Sequence, residues 1–264
     1  MKIGVDLVFM TGTKGGMETY VREVYARIAE FLPDAHFVGY ASHQLAGVGA
    51  PWFPGDIVDT GIDGDDRIAW AHATAIGVGR RARRDGLDLL HAPANFGPAF
   101  GAPPTVVTVH DVIGHRHPEY VPGGYAPIVR AMVNVAARRA SRILTPSCAT
   151  ADDVHSLLRI PRERIVVSPL AATSAEPRSD ARSEGRCVLT VGNRMPHKNV
   201  DVLLDALELI PVGNRPRVVV TGGRDGDPLP SAVMARGLED SVEIVGWLSD
   251  DELDALYRQA SIVV

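Results

Sequence analysis

Short, wholly apolar runs alternating with stretches of helical periodicity constrain this chain more than any other feature. Segments 2–8, 87–91, 105–109, 142–145 and 164–168 carry apolar residues at consecutive positions. Such runs read as strands buried on both faces, not as half-solvated strands with an alternating pattern. Between the first two, Val21, Val24, Tyr25, Ile28 and Leu32 recur at helical spacing, and Pro33 ends the helix. Strands are predicted at 36–41 and 56–59, and helices at 67–85, with Gly86 as its stop, and at 125–140. Ser147 is predicted to cap a further helix whose first turn carries Asp152 and Asp153. Strands alternating with helices imply a parallel sheet covered on both faces.

The alternation breaks at 173–185, a polar stretch with Pro177 and no period, which reads as a linker. It restarts at 187–191 and continues with a helix that aligns Val200, Leu203, Leu204, Leu207 and Ile210 on one face. Strands at 217–221 and 242–245 and a helix at 250–259 follow, and Ser261-Ile262-Val263-Val264 begins another strand. The expected architecture is α/β, with two Rossmann-like parallel-sheet domains at 1–172 and 186–264. A doubly wound domain normally has five or six strands. About four are legible in the second, so it is expected to be incomplete; a short natural domain is the alternative.

Net charge excludes some functions. The chain has 27 Lys and Arg against 32 Asp and Glu, so it lacks the basic excess of a nucleic-acid binder. Cys148 and Cys187 are far apart and suggest neither a disulfide framework nor a metal knuckle. The N-terminus lacks the apolar core of a signal peptide, and no apolar run is long enough to span a bilayer. A reducing, cytoplasmic location is expected.

In open parallel sheets ligands bind beyond the carboxyl ends of the strands, and four segments fall there. Lys14-Gly15-Gly16 precedes a helix, where backbone N–H groups and the helix dipole attract an anion; a plain turn is the alternative. His110-Asp111 follows strand 105–109, and its imidazole is expected to donate to a sugar hydroxyl or a phosphate; an ordinary loop histidine is the alternative. The segment 191–199 brings Arg194 and Lys198 to a helix start. Cations oppose the dipole there, which a bound diphosphate would explain; two solvated surface cations are the alternative. Asn199 is expected to cap that helix. Thr221-Gly222-Gly223 would let a nucleotide approach the backbone, and a simple turn explains it equally. Dinucleotide chemistry is disfavoured, because Gly12-Thr13-Lys14-Gly15-Gly16 lacks the G-x-G-x-x-G spacing.

Taken in order, four pieces resemble glycosyltransferase family 4, retaining enzymes of the GT-B fold. They are Gly15-Gly16-Met17-Glu18-Thr19-Tyr20-Val21-Arg22-Glu23, His110-Asp111-Val112-Ile113 with His117-Pro118-Glu119-Tyr120, Val191-Gly192 through Lys198-Asn199, and Gly246-Trp247-Leu248-Ser249-Asp250-Asp251-Glu252-Leu253. The resemblance implies that Gly15 and Gly16 approach the donor phosphate and that His110 lies near the transferred sugar. It implies a diphosphate role for Lys198, shared by Arg194, which stands one place later than the usual arginine because Asn193 follows the glycine. Gly222 and Gly223 join the nucleotide-binding set, and Trp247 and Leu248 would meet the base. The donor is a nucleoside-diphosphate sugar bound as substrate, with mannose- or rhamnose-type transfer favoured by His117-Pro118-Glu119-Tyr120, and neither a metal nor another cofactor is implied.

The family continues from a strand like Ile262-Val263-Val264 into a glycine loop with two glutamates separated by seven residues, and the sequence stops before such a loop. The chain is therefore expected to end partway through its donor-binding domain. A carbohydrate, metabolite or lipid-linked acceptor is expected on the N-terminal domain, with Ala94-Asn95-Phe96 and Tyr120-Val121-Pro122 as candidate lining. Arg80, Arg81, Arg83 and Arg84, with Arg138, Arg139 and Arg142, form two basic clusters suited to a solvated face or to peripheral contact with the inner membrane face. A non-catalytic remnant and a nucleotide-sugar epimerase are the competing functions.

Overall fold

The structure, a computed structural model, describes residues 1–12, 15–121, 124–171, 187–192, 195–223 and 226–264. The chain divides into two compact units, Met1–Ala171 and Ala172–Val264. The stretch expected as a linker lies outside the described residues.

The first unit carries seven strands, β1 Lys2–Leu7, β2 His36–Ala41, β3 Asp56–Asp59, β4 Leu89–Ala92, β5 Thr105–Thr108, β6 Arg142–Thr145 and β7 Ile165–Val167. All pair in parallel, in the order β3-β2-β1-β4-β5-β6-β7. The chain winds outward from β1 to β3, then crosses to the other side of β1 at β4. The fork between β1 and β4 is the topological switch point, where such sheets bind ligands.

Alternation along β1 divides the core. Ile3, Val5 and Leu7 pack with Val21 and Tyr25 of helix α1, Gly15–Phe31, and with Phe37. Val8, one step beyond the strand and on its other face, packs with Tyr40, Leu90 and Val78 and Ala82 of a later helix. On that same face Gly4 allows close approach, since a Cβ there would stand 2.6 Å from Leu87 Cδ1. Helices α2, His43–Val48, and α3, Arg67–His72, follow β2 and β3. The stretch predicted as one helix over 67–85 is three segments: α3, a π-helical turn Ala73–Gly77, and α4, Val78–Arg84. The extra residue per turn in a π segment re-aims side chains, and such bulges recur at functional sites. Beyond β5 come α5, Ile113–Arg116, a short 3-10 turn and α6, Ala126–Arg139.

Ser147 caps α7, Cys148–Leu158, by accepting from Thr150 N–H. Asp152 and Asp153 do not lie in its first turn as expected. They sit one turn later, where Asp153 pairs with Arg116 and Asp152 with Arg162, 2.8 Å away. Ion pairs and not the helix dipole account for them. Ser147→Ala is expected to cost about 1 kcal/mol of stability, read as a lowered urea midpoint at unchanged slope.

The second unit carries β8 Cys187–Thr190, β9 Arg217–Val220, β10 Val242–Ile244 and β11 Ile262–Val263, parallel, in the order β10-β9-β8-β11. Helices α8, Val200–Glu208, α9, Leu229–Ala235, and α10, Asp250–Gln259, connect them. Leu204 and Leu207 of α8 pack on Val218 and Val220 together with Leu229 and Val233 of α9. Ser249 and Glu252 form a reciprocal capping box at the start of α10, which fixes the segment just after Trp247.

Candidate functional site

At the carboxyl edge of the first sheet, residues from α1, β4 and β5 converge. Gly15 and Gly16 open α1, and a Cβ at either would meet no atom within 4 Å. Neither packing nor backbone conformation of the described residues therefore demands glycine there. What glycine leaves is bare backbone at a helix N-terminus, open to an approaching group. Glu18 in the first turn is buried and accepts from Thr11 N–H at 2.6 Å, which ties the end of the β1 loop to the helix start. Lys14 lies outside the described residues.

His110, two residues past β5, is held from three directions. Its N–H donates to Asn95 Oδ1 at 2.6 Å, its carbonyl accepts from Thr150 Oγ1 at 3.2 Å, and its ring Nε2 lies 2.8 Å from the Pro93 carbonyl. A carbonyl only accepts, so Nε2 carries the hydrogen. Burial moves the imidazole below the ordinary histidine value, against the smaller opposing influences of the Pro93 carbonyl and Asp111. The ring is thus neutral at pH 7, and Nδ1 is an acceptor. Nε2 is thus engaged by the Pro93 carbonyl, so a group that met the ring at Nδ1 would have to donate to it. Asn95 has a left-handed backbone, φ 64°, and its backbone N–H donates to the Thr108 carbonyl at 2.9 Å. Asn95, named above as candidate acceptor lining, also holds the His110 backbone through its side-chain oxygen. Tyr120 stacks on His117 with centroids 5.1 Å apart, and Pro122 lies outside the described residues.

Sequence reasoning missed a buried chain of polar side chains behind His110. Tyr25 Oη lies 2.7 Å from His91 Nδ1, His91 Nε2 lies 2.9 Å from Thr108 Oγ1, and Tyr20 Oη lies 3.3 Å from the same Thr108 oxygen. Tyr20 then meets the His110 ring edge-to-face at 4.9 Å. The four residues come from α1, β4 and β5, so no local spacing could reveal them. Beside this chain, Asp6 on β1, Thr74 on the π turn, Phe9, Trp70, Pro93, Ala94 and Phe96 line a narrow cleft. Burial raises the Asp6 carboxyl to about 6, opposed by hydrogen bonds from Val8 N–H and Thr74.

In the second unit the loops after β8, β9 and β10 share one edge of the sheet. Gly192 has φ 126°, a conformation open to glycine, and a Cβ there would stand 4.0 Å from Lys198 Cε. The Lys198 side chain thus runs back over the β8 loop. Gly192 N–H donates to Thr221 Oγ1 at 3.3 Å, and Gly222 N–H to the Gly246 carbonyl at 3.0 Å. These bonds join three of the predicted segments, so Gly192, Lys198, Thr221, Gly222 and Gly246 form one cluster. Gly222 and Gly223 have φ of 75° and 132°, so the turn itself requires glycine. Trp247 is 57 % exposed beside them and Leu248 is partly buried. Lys198 closes a 3-10 turn, Pro196–Lys198, ahead of α8. Asn199 does not cap α8 through its side chain; it takes a left-handed backbone, φ 51° and ψ 41°, and makes no side-chain cap bond. Arg194 lies outside the described residues.

The described residues hold no group of three or more His, Cys, Asp or Glu arranged for a metal. No helix among them is long and apolar enough to cross a membrane. Cys148 is exposed and Cys187 buried, and both are free thiols.

Comparison with known proteins agrees with this division of the chain. The family model described as Glycosyltransferase Family 4 matches residues 14–171, more than half of the chain, and Glycosyl transferases group 1 matches 173–264. The O-antigen chain mannosyltransferase B of Escherichia coli is 29% identical over 199 residues, covering 69% of this chain and 52% of that protein. The MMP alpha-(1->4)-mannosyltransferase of Mycolicibacterium hassiacum is 29% identical over 171 residues, 60% of this chain and 41% of that protein. The chain thus spans about half the length of the curated relatives it matches. Among solved structures, Anabaena Alr3699/HepE in complex with UDP-glucose superposes with a TM-score of 0.68 at 20% identity, covering all of this chain and 73% of that one.

Proposed function

Because this chain belongs to glycosyltransferase family 4, with the paired Rossmann-like units of the GT-B fold, we propose that it carries the acceptor-side domain and part of the donor-binding domain of a retaining, nucleotide-sugar-dependent glycosyltransferase. The observation that carries this reading is the cluster at the carboxyl edge of the second sheet. There an extended lysine, bare glycine backbone and an exposed tryptophan stand together. A cation suits a diphosphate, glycine permits close approach of the backbone, and an aromatic face suits a base.

In the reaction, the bond between the sugar anomeric carbon and the diphosphate oxygen breaks, and a bond to an acceptor hydroxyl oxygen forms on the same face. The hydroxyl proton passes to the departing diphosphate. Negative charge grows on the diphosphate as the sugar leaves, so Lys198 and Arg194 act where charge develops. Gly15 and Gly16 would serve the phosphate from the first unit, and His110 Nδ1 would accept from a hydroxyl of the transferred sugar. Both curated relatives are named mannosyltransferases, which supports a mannose-type donor. Product analysis tests the reading. Nucleoside diphosphate release that depends on acceptor, with an α-configured product from an α-configured donor, supports it. Conversion of the donor without acceptor would point instead to epimerase chemistry.

Membrane contact belongs to the same reading. Helix α4 feeds β4 and α6 precedes β6, so both end at the amino edge of the sheet, away from Gly15, Gly16 and His110. Arg80, Arg83 and Arg84 are exposed at the first end, and Arg138, Arg139 and Arg142 at the second. Arg80 lies over Phe100, which is itself half-exposed. Arg81 is instead engaged with Asp85 and the Tyr40 ring. Co-sedimentation with anionic vesicles is expected to fall steeply as salt rises from about 0.05 to 0.5 M, through screening. Binding that is absent, or indifferent to salt, removes this part of the reading.

A further inference from the structure

Strands β4 and β5 stop pairing just before His110, and there a side chain takes over from the backbone. Their parallel register sets Leu90 against Thr105, His91 against Val106 and Ala92 against Val107. Continued by two residues, it would set Ala94 against Val109. Ala94 N–H would then meet the Thr108 carbonyl, and His110 N–H the Ala94 carbonyl. Asn95 stands in that place instead. Its backbone N–H donates to the Thr108 carbonyl at 2.9 Å, and His110 N–H donates to its Oδ1 at 2.6 Å. One residue is looped out of the ladder, and the Ala94 carbonyl accepts from Phe96 N–H at 2.7 Å.

The slip has a local cause. Asn95 is left-handed, φ 64°, and bonds through its side-chain oxygen where a strand residue would use its carbonyl. Asparagine tolerates that backbone better than most residues and carries an acceptor short enough to reach neighbouring backbone. Two residues back, the Pro93 carbonyl lies 2.8 Å from His110 Nε2. Residues 93–95 thus hold both the backbone and the ring of His110, while Thr150 on α7 donates to its carbonyl at 3.2 Å. An extra residue in a strand re-aims a side chain, and such slips recur beside active sites.

We propose that Asn95 is a positioning residue: by standing in for a strand carbonyl, its side-chain oxygen sets the His110 backbone so that ring Nε2–H meets the Pro93 carbonyl and Nδ1 stays outside the clamp. The use made of the ring rests on the glycosyltransferase reading. The clamp itself lies wholly within the first unit.

Nitrogen-edited NMR of the full chain reads the clamp without any substrate. In the native chain the His110 Nε2–H proton should be observed at pH 8, because its hydrogen bond slows exchange with solvent. The ring should titrate below the ordinary 6.5, because it is buried. Asn95→Gly keeps the left-handed backbone and removes the oxygen. It is expected to abolish the Nε2–H signal and move the His110 midpoint up towards 6.5. His91, held by Tyr25 and Thr108, should not change. Asn95→Asp restores an acceptor and should restore the signal. In the complete enzyme, turnover should fall about tenfold in Asn95→Gly and recover in Asn95→Asp. Several results would overturn the proposal: a signal absent from the native chain, one that persists in Asn95→Gly, or one that Asn95→Asp does not restore. His91 and His110 shifting together would also overturn it, by showing general loosening of the sheet, as would unchanged turnover with the signal lost. A complete enzyme without transferase activity would bring down the glycosyltransferase reading, and the NMR result alone would then decide the clamp.

Discussion

Lys198→Ala is expected to lower kcat/KM of the complete enzyme about 100-fold, a loss of about 3 kcal/mol in the transition state. The size follows from the position. Lys198 lies over Gly192 at the carboxyl edge of β8, where its charge faces bare backbone and not a packed surface. Two other described cations of this unit are engaged differently: Arg236 pairs with Asp201, Asp205 and Glu208, and Arg217 with Glu243. Removing Arg236 should cost stability and leave the chemistry alone. Removing Lys198 should do the reverse, because its stabilisation appears only as charge develops on the leaving diphosphate. Steady-state kinetics on both variants check this. A Lys198→Ala loss below tenfold contradicts the assigned role.

The second large effect is in stability against pH. His91 falls from the ordinary 6.5 to about 4 through burial, aided by His110 nearby. Between those values the unfolded chain binds the extra proton, so this group's contribution is complete above pH 6.5 and is lost as pH falls towards 4. Asp6 moves the opposite way, from 3.8 to about 6, also through burial. There the folded chain holds the proton, so stability falls as pH rises from 3.8 to 6. Each term is on the order of 3 kcal/mol, and over pH 4 to 6 they oppose one another. The native first unit is therefore expected to melt at nearly constant temperature across that range, as far as these two groups decide it. Asp6→Asn removes one side of the balance. It should raise the melting temperature at pH 7 and leave a steep fall below pH 6 driven by His91. Thermal melts at pH 4.5, 6 and 7.5 test this; a parallel shift at all three values would show that the two titrations are not the source.

Much of this was legible in the sequence, and the reasons differ by element. The inner strands of the first sheet, such as β1 and β4, were readable because they are largely buried, which leaves short apolar runs, whereas the edge strands β3 and β7 are partly exposed. β2, β3 and β6 fall at the predicted bounds. Helix α9 was missed, since Leu229 and Val233 give a seven-residue helix only one turn of period beside Pro228 and Pro230. The π turn was invisible because Ala73–Gly77 carries helix-compatible residues, and the extra residue per turn answers tertiary contacts such as that between Thr74 and Asp6. At the candidate site, glycines and a cation next to strand ends could be read from their spacing, and the structure brings Gly192, Lys198, Thr221 and Gly222 to one sheet edge. The Tyr25, His91, Thr108 and Tyr20 chain could not be read, because its partners stand up to 88 positions apart and meet only when α1 packs on the sheet. Helix-end reasoning failed at Asn199 for a local cause: a left-handed backbone turns the residue into the bend that starts α8, in place of its side-chain cap.

The central claim is that the second unit holds the diphosphate of a nucleotide-sugar donor. Calorimetric titration of this chain with GDP, UDP and dTDP tests it most directly. The account predicts binding of one of them and its loss in Lys198→Ala. Binding that survives Lys198→Ala unchanged, or no binding of any of the three, would contradict it.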